Sequence, residues 1–340
     1  MNRIDLKNTN IRTDLILETL NNSDFITEFK KDNIKISRVV VDQNNKNIIS
    51  KKEGNYVTIE FLDITNFEDR EKVGNVLEEE LKNILDLNNI NCSDECLIIG
   101  LGNDKSTADA LGPKTIENIL VTRHLFLLNV SVKEGMRKVS AITPGVMGTT
   151  GIETIDIVSS IVNSIKPKFI IVIDSLCASS VERLNRTIQI TDSGIHPGSG
   201  VGNHRKEISK DTLNIPVIAI GVPTVVDAST IVNDTINYLF MHLSYLKNNY
   251  AENKLIVKRF GNYLEKIKKG NLTEEEKELI GGMIGNLCDE EKKRLINEVL
   301  ESINYNLIVA PKEVDFLIDK LSNLISSSIN NSLHNAVNNY

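Results

Sequence analysis

The chain has 340 residues, 41% apolar and 25% charged, and a formal net charge of −7. That length suits one large domain or two ordinary ones, and the composition is ordinary for a globular protein. The acidic balance argues against direct binding to a nucleic-acid backbone, and no apolar run approaches the ~20 residues of a membrane helix.

The start, MNRIDLKNTNIRTDL, is polar and lacks an apolar signal core. The four cysteines, Cys92, Cys96, Cys177 and Cys288, form no C-x-x-C pair. Both features point to a reducing cytoplasm, with no metal site and no cofactor indicated. Residues 1–32 are rich in Asn and mixed in charge, and read as a poor core and a mobile arm. IKISRVVV (Ile34–Val41) and YVTIEFL (Tyr56–Leu62) read as strands, with Gly54-Asn55 as a turn. Asn66–Leu87 carries Val73, Leu77, Leu81, Ile84 and Leu85 on one helical stripe.

The middle third changes character. Cys96–Gly100, Phe169–Asp174 and Val217–Gly221 are unbroken apolar runs, as expected of strands covered on both faces. Helical patterns lie between and after them. One runs from Pro113 through TIENILVTRHLF, one over Thr149–Ile165, and one follows Pro223 with Ile231, Ile236 and Leu239. This alternation predicts an α/β fold, a mostly parallel sheet with helices on both faces. After Lys247 the chain reads as charged and helical. Thr273 and Glu276 fit a capping box, Asp289 suits a cap for EEKKRLINEVL, and Pro311-Lys312-Glu313 opens a last helix. The Ser/Asn-rich tail from Ser326 is expected to fray.

Sites in open α/β sheets form beyond the carboxyl ends of strands. Asp174 stands where FIIVID stops. Asp109 lies nine residues past Gly100, near the start of the next helix. If those strands are neighbours, both carboxyls face one crevice. They would repel, one would keep a proton, and the pair could activate water and protonate a leaving group. The plain alternative is a helix cap and a strand end. "LIIGLGNDK" offers G-x-G without the third glycine of a dinucleotide loop. SGIHPGSGVGNHRKE (Ser193–Glu207) reads as a surface loop able to bind substrate, or to bring His196 to Asp109 and Asp174 as a metal ligand. Cys177 could be a nucleophile if His196 were within reach, or a small buried thiol. TPGVMGTTGIET (Thr143–Thr154) could bind an anion or simply start a helix.

Together these stretches resemble the germination protease family, the endopeptidase that degrades small acid-soluble proteins in germinating bacterial spores. The resemblance is carried by LIIGLGNDKSTADALGPKTIENILVTRHLF, VSAITPGVMGTTGIET, FIIVIDSL, TIQITDSGIHPGSGVGNHRKEIS and IPVIAIGVPTVVDA. GMIGNLCDEEKKRLINEVL and LIVAPKEVDFLI extend it to nearly the whole chain. It implies a core similar to hydrogenase-maturation peptidases, with N-terminal strands and C-terminal helices added, and a homotetramer in the cytoplasm of the spore core. It implies an atypical aspartic mechanism with the catalytic pair at Asp109 and Asp174, and a zymogen that processes itself. IRTDLILE places that cut between Asp14 and Leu15.

The implied organisation is a propeptide over 1–14, a peptidase core over 15–247, and a helical region over 248–340. The family cuts after Glu in an acidic motif. A cation should meet that Glu, and His204, Arg205 and Lys206 are candidates by charge, while the loop from Gly194 to Asn203, with His196, Gly198 and Gly200, is expected to position the extended substrate. The other readings are a metal-dependent peptidase of the hydrogenase-maturation type and a non-catalytic anion-binding module. The segment after Tyr245 is shorter than the family leads one to expect. SLCASSVERLNR also departs from it, with Cys177 and Ser179 at positions where small residues or Arg are expected.

Overall fold

A computed structural model describes residues 13–20, 23–49, 51–128, 131–198, 205–248, 267–268, 270, 272–302 and 307–336. The chain forms two compact units. The larger takes its described residues from Arg12–Ala178, Glu182–Val225 and Ala310–Tyr340, and the smaller from Ser179–Val181 and Val226–Val309.

The strands in chain order are β1 (Ile26–Lys31), β2 (Ile34–Val41), β3 (Gly54–Glu60), β4 (Cys96–Gly100), β5 (Val139–Ile142), β6 (Phe169–Ala178), β7 (Thr187–Thr191), β8 (Val217–Asp227) and β9 (Ile308–Val309). The principal helices are α1 (Phe67–Leu87), α2 (Leu111–Glu117), α3 (Thr154–Ile165), α4 (Ala228–Asn248), α5 (Glu274–Gly281), α6 (Asp289–Ser302) and α7 (Val314–Leu333).

The larger unit is built on a sheet of order β1-β2-β3-β7-β8-β6-β4-β5. Strands β5, β4 and β6 run parallel, as expected for strands joined through helices. The N-terminal strands β1 to β3 add an antiparallel meander, joined to the core through β7, which is antiparallel to both β3 and β8. Alternation along each strand sends side chains to two faces. Cys96, Ile98, Ile171, Ile173, Ile188 and Ile190 meet α1 and α7 on one face. Leu97, Ile99, Ile170 and Val172 meet Ile155, Val158 and Val162 of α3 on the other. The expected α/β class with helices on both faces is what forms. Each large apolar side chain buried this way contributes about 1.5–3 kcal/mol. In the smaller unit β9 pairs with the last two residues of β8, Val226 and Asp227. Thr273 and Glu276 form the expected capping box of α5. Among the described residues, no helix is long and apolar enough to cross a membrane.

Several expectations need correction. The described part of residues 1–32 is no loose arm. Leu15 and Ile16 are fully buried, and Ile16 packs with Val39, Val41, Ile49 and Tyr56. An Asp32-Asn33 turn, with Asp32 at φ 55°, closes the β1–β2 hairpin. The helix expected through TIENILVTRHLF stops at Glu117, because Asn330 of α7 takes over its end. Asn330 accepts from the Leu120 N–H at 2.9 Å and donates to the Asn118 carbonyl at 3.0 Å. A short helix, Arg123–Leu127, follows. Asp289 opens α6 from within its first turn.

The tail from Ser326 does not fray at once; α7 continues to Leu333 with Ser326, Ser328 and Ser332 buried. These serines are small, and their hydroxyls bond to carbonyls of their own helix. Ser328 also bonds to the Gly74 carbonyl at 3.0 Å, so α7 and α1 approach closely.

Candidate active site

The site arises from unequal strand lengths. β4 ends at Gly100, whose register partner on β6 is Ile173. The Leu101 N–H still bonds to the Ile173 carbonyl at 2.8 Å. β6 then continues to Ala178, so Asp174 does not end its strand as the apolar run suggested. It is the first residue past the point where its neighbour stops. By alternation it shares a face with Ile170 and Val172, and it is only 5% exposed.

Asp109 closes a short 3-10 turn, Thr107–Asp109, between β4 and α2. Gly102 sits at φ 113°, and a Cβ there would lie 2.0 Å from the Asp109 carbonyl oxygen. That oxygen accepts from the Asn103 N–H at 3.0 Å. The hydroxyl of Thr224 bonds to the Ala108 carbonyl at 2.7 Å. The G-x-G therefore lets the loop fold back on itself and does not form a dinucleotide loop.

The charge of Asp109 is felt at Asp174. Burial raises Asp109 to about 6, against the pull of the Asn103 N–H and the Arg205 charge. Burial first, then the charges of Asp109 and of Asp14, push Asp174 well above the usual carboxylate range, while the Ser175 N–H and Arg205 hold it down. Loss of solvent makes ionisation costly, and a neighbouring negative charge adds to that cost.

Asp14 is the third carboxylate at this place. Its N–H donates to the Cys177 carbonyl at 3.0 Å, and its Oδ2 accepts from the Cys177 N–H at 2.9 Å. Its carbonyl accepts from Lys51 Nζ at 3.2 Å and from Gln189 Nε2 at 3.3 Å. Leu15 follows, wholly buried.

The remaining expected site residues divide. Arg205 acts on both aspartates. Lys206 turns instead toward Asp156 at 4.0 Å, both well exposed. His196 pairs with Glu207 at 3.0 Å. No three His, Cys, Asp or Glu side chains among the described residues form a metal-binding group, so His196 does not complete one with Asp109 and Asp174. Gly198 lies in a turn at φ 72°. Gly200 and His204 fall outside the described residues. The loop base is pinned by paired bonds between Ile195 and Ile208 at 2.8 and 2.9 Å. Cys177 enters through its backbone, with its thiol buried.

Sequence reasoning missed Lys51 and Gln189. Lys51 lies in SKKEGN, which looks like any charged turn. Gln189 left a signal: a lone amide inside the β-branched run TIQIT, on a strand buried on both faces. A buried amide there needs partners.

Fold and site together define an α/β protein with a buried carboxyl pair beside the carboxyl end of a parallel strand. The family model described as germination protease matches residues 11–340. A germination protease of Geobacillus sp. (strain WCH70) is 47% identical, covering 96% of this chain and 94% of its own length. Those of Priestia megaterium and Bacillus subtilis are each 46% identical over 95% of this chain and 93% of their own. The chain belongs to the germination protease family and is a peptidase. The NiFe hydrogenase maturation protease HycI from Thermococcus kodakarensis KOD1 is 17% identical over 42% of this chain and 80% of its own, with a TM-score of 0.28. A likeness of that size carries no conclusion.

Proposed function

We propose that this chain is an endopeptidase of spore germination, made as a zymogen that cuts itself between Asp14 and Leu15. The observation that carries the reading is that Asp14 is bonded through its N–H and carboxylate to Cys177, three residues past Asp174, where its charge and that of Asp109 both raise the cost of ionising Asp174. Asp109 and Asp174 are the reacting pair, and Asp14 marks the bond to be cut. In this reading the residues up to Asp14 are the propeptide, and the processed enzyme degrades small acid-soluble spore proteins in the spore core as a homotetramer.

The chemistry follows from unequal burial. Asp109, at about 6, loses its proton first and takes one from water. Asp174 lies deeper, between two negative charges, and keeps its proton. The water oxygen adds to the scissile carbonyl carbon, the C–N bond breaks, and the proton from Asp174 goes to the leaving amine. Arg205 favours the ionised form of both groups. This reading needs no metal.

The test uses a small acid-soluble spore protein as substrate and the processed chain as enzyme. Cleavage that survives a chelator and disappears in Asp109→Asn and Asp174→Asn is expected. Loss with chelator that a divalent metal restores would contradict it, as would phosphate or nucleotide binding with no proteolysis.

A further inference from the structure

The oxygen that accepts from Lys51 and Gln189 is the carbonyl oxygen of the Asp14–Leu15 bond. We propose that Lys51 and Gln189 stabilise the oxyanion formed when this bond is hydrolysed. The proposal rests on the self-processing reading above.

The geometry selects this oxygen from both sides. Gln189 Oε1 accepts from the Ile16 N–H at 2.8 Å, so its amide NH₂ is the end turned to residue 14. One side chain thus spans the bond, accepting beyond it and donating to its carbonyl. Gln189 is itself buried within β7, on the face away from Ile188 and Ile190. By alternation, Asp174 also faces away from that core.

Lys51 supplies the charge. Burial lowers its pKa, while the nearby Asp14 and Glu18 carboxylates hold it up. An ammonium partly stripped of water interacts more strongly with a new anion than a hydrated one does. Its 3.2 Å contact is long for a charged hydrogen bond, which closes to about 2.7–2.9 Å against an anionic oxygen. Both contacts therefore have room to tighten as the carbonyl oxygen gains charge, the condition for lowering a barrier.

The rest of the segment is held so that this oxygen stays in place. Asp14 is bonded through N–H and carboxylate to Cys177, three residues past Asp174. Leu15 and Ile16 are fully buried. The Cys177 N–H on the Asp14 carboxylate also gives a reason for an acidic residue before the cut. In the reaction, water oxygen bonds to the Asp14 carbonyl carbon and the electron pair of C=O moves onto the oxygen held by Lys51 and Gln189. That pair returns as the bond to the Leu15 nitrogen breaks, and the nitrogen leaves protonated.

The test is self-processing of the full chain at a single turnover, followed by intact mass, with melting measured in parallel. Lys51→Met and Gln189→Met are each expected to slow the cut on the order of 10²–10³-fold. Melting should stay near the parent's, and Lys51→Arg should restore part of the rate. A parental rate in either methionine variant overturns the proposal. So do slow rates that track an equal loss of melting temperature with no rescue by Arg. If Lys51→Met does not fold, Gln189→Met decides: slowing at the parent's melting temperature supports the proposal, and a parental rate or slowing matched by an equal loss of melting temperature overturns it. A parent chain that never cuts between Asp14 and Leu15 removes the self-processing reading itself, and this is seen before any variant is made.

Discussion

Gly100 and Gly112 meet backbone to backbone: a Cβ on Gly100 would lie 2.4 Å from the Gly112 carbonyl oxygen. A Cβ on Gly112 would lie 2.2 Å from the Leu101 carbonyl oxygen. The end of β4 and the start of α2 are thereby drawn together, and the intervening loop must arch out and return, which is where it carries Asp109.

Alanine at either glycine therefore forces strand and helix apart. Gly100→Ala and Gly112→Ala are each expected to cost several kcal/mol, among the largest single-residue losses in the chain. Thermal or denaturant unfolding measures this. Gly148→Ala is the control, because nothing lies within 4 Å of a Cβ there.

The carboxyl pair should weaken the fold at neutral pH. Both groups have folded pKa values raised above their unfolded ones. Protonated, below the unfolded value, they cost nothing; stability is lost as pH rises through the folded value. Ionising a carboxyl moved from 3.8 to about 6 costs roughly 3 kcal/mol. Asp109→Asn and Asp174→Asn should thus raise the melting temperature at pH 8, and the gain should shrink toward pH 4. Equal melting of variant and parent at pH 8 would contradict the raised values.

Arg205 favours the ionised form of both aspartates. Self-processing should rise with pH as the first proton leaves, with its midpoint near the value of about 6 to which burial raises Asp109. Arg205→Ala removes that favouring charge, so the midpoint should move to higher pH. Lys206→Ala, whose side chain turns to Asp156, should leave it in place. A midpoint unmoved in Arg205→Ala would detach the arginine from the pair.

Ser328 is expected to tolerate no large side chain. A Cβ on Gly74 would lie 3.6 Å from the Ser328 hydroxyl, so α1 and α7 touch there through small residues. Ser328→Leu should destabilise by about 1–3 kcal/mol through overpacking. Urea unfolding would measure it.

The parallel strands and their helices were legible because unbroken Val/Ile runs and helical stripes are local patterns. The apolar runs left the pairing of Asp109 with Asp174 open beside a helix cap and a strand end, and the resemblance singled it out. The resemblance then led to Asp14. What escaped was settled by tertiary contact. Nothing local says that β6 outlasts β4 by several residues, or that Leu15 and Ile16 are fully buried. The polar tail misled for a similar reason: serines read as solvated until α1 packs on them. Lys51 and Gln189 come from a loop and an antiparallel strand far apart in the chain, and meet only through the sheet order.

The most direct test of the account is the intact mass of purified full-length chain, incubated as parent, Asp109→Asn and Asp174→Asn near the pH where the pair holds one proton. Loss of the residues up to Asp14 from the parent and an unchanged mass for both variants are expected. Cutting between Asp14 and Leu15 at the parental rate in either variant would contradict it.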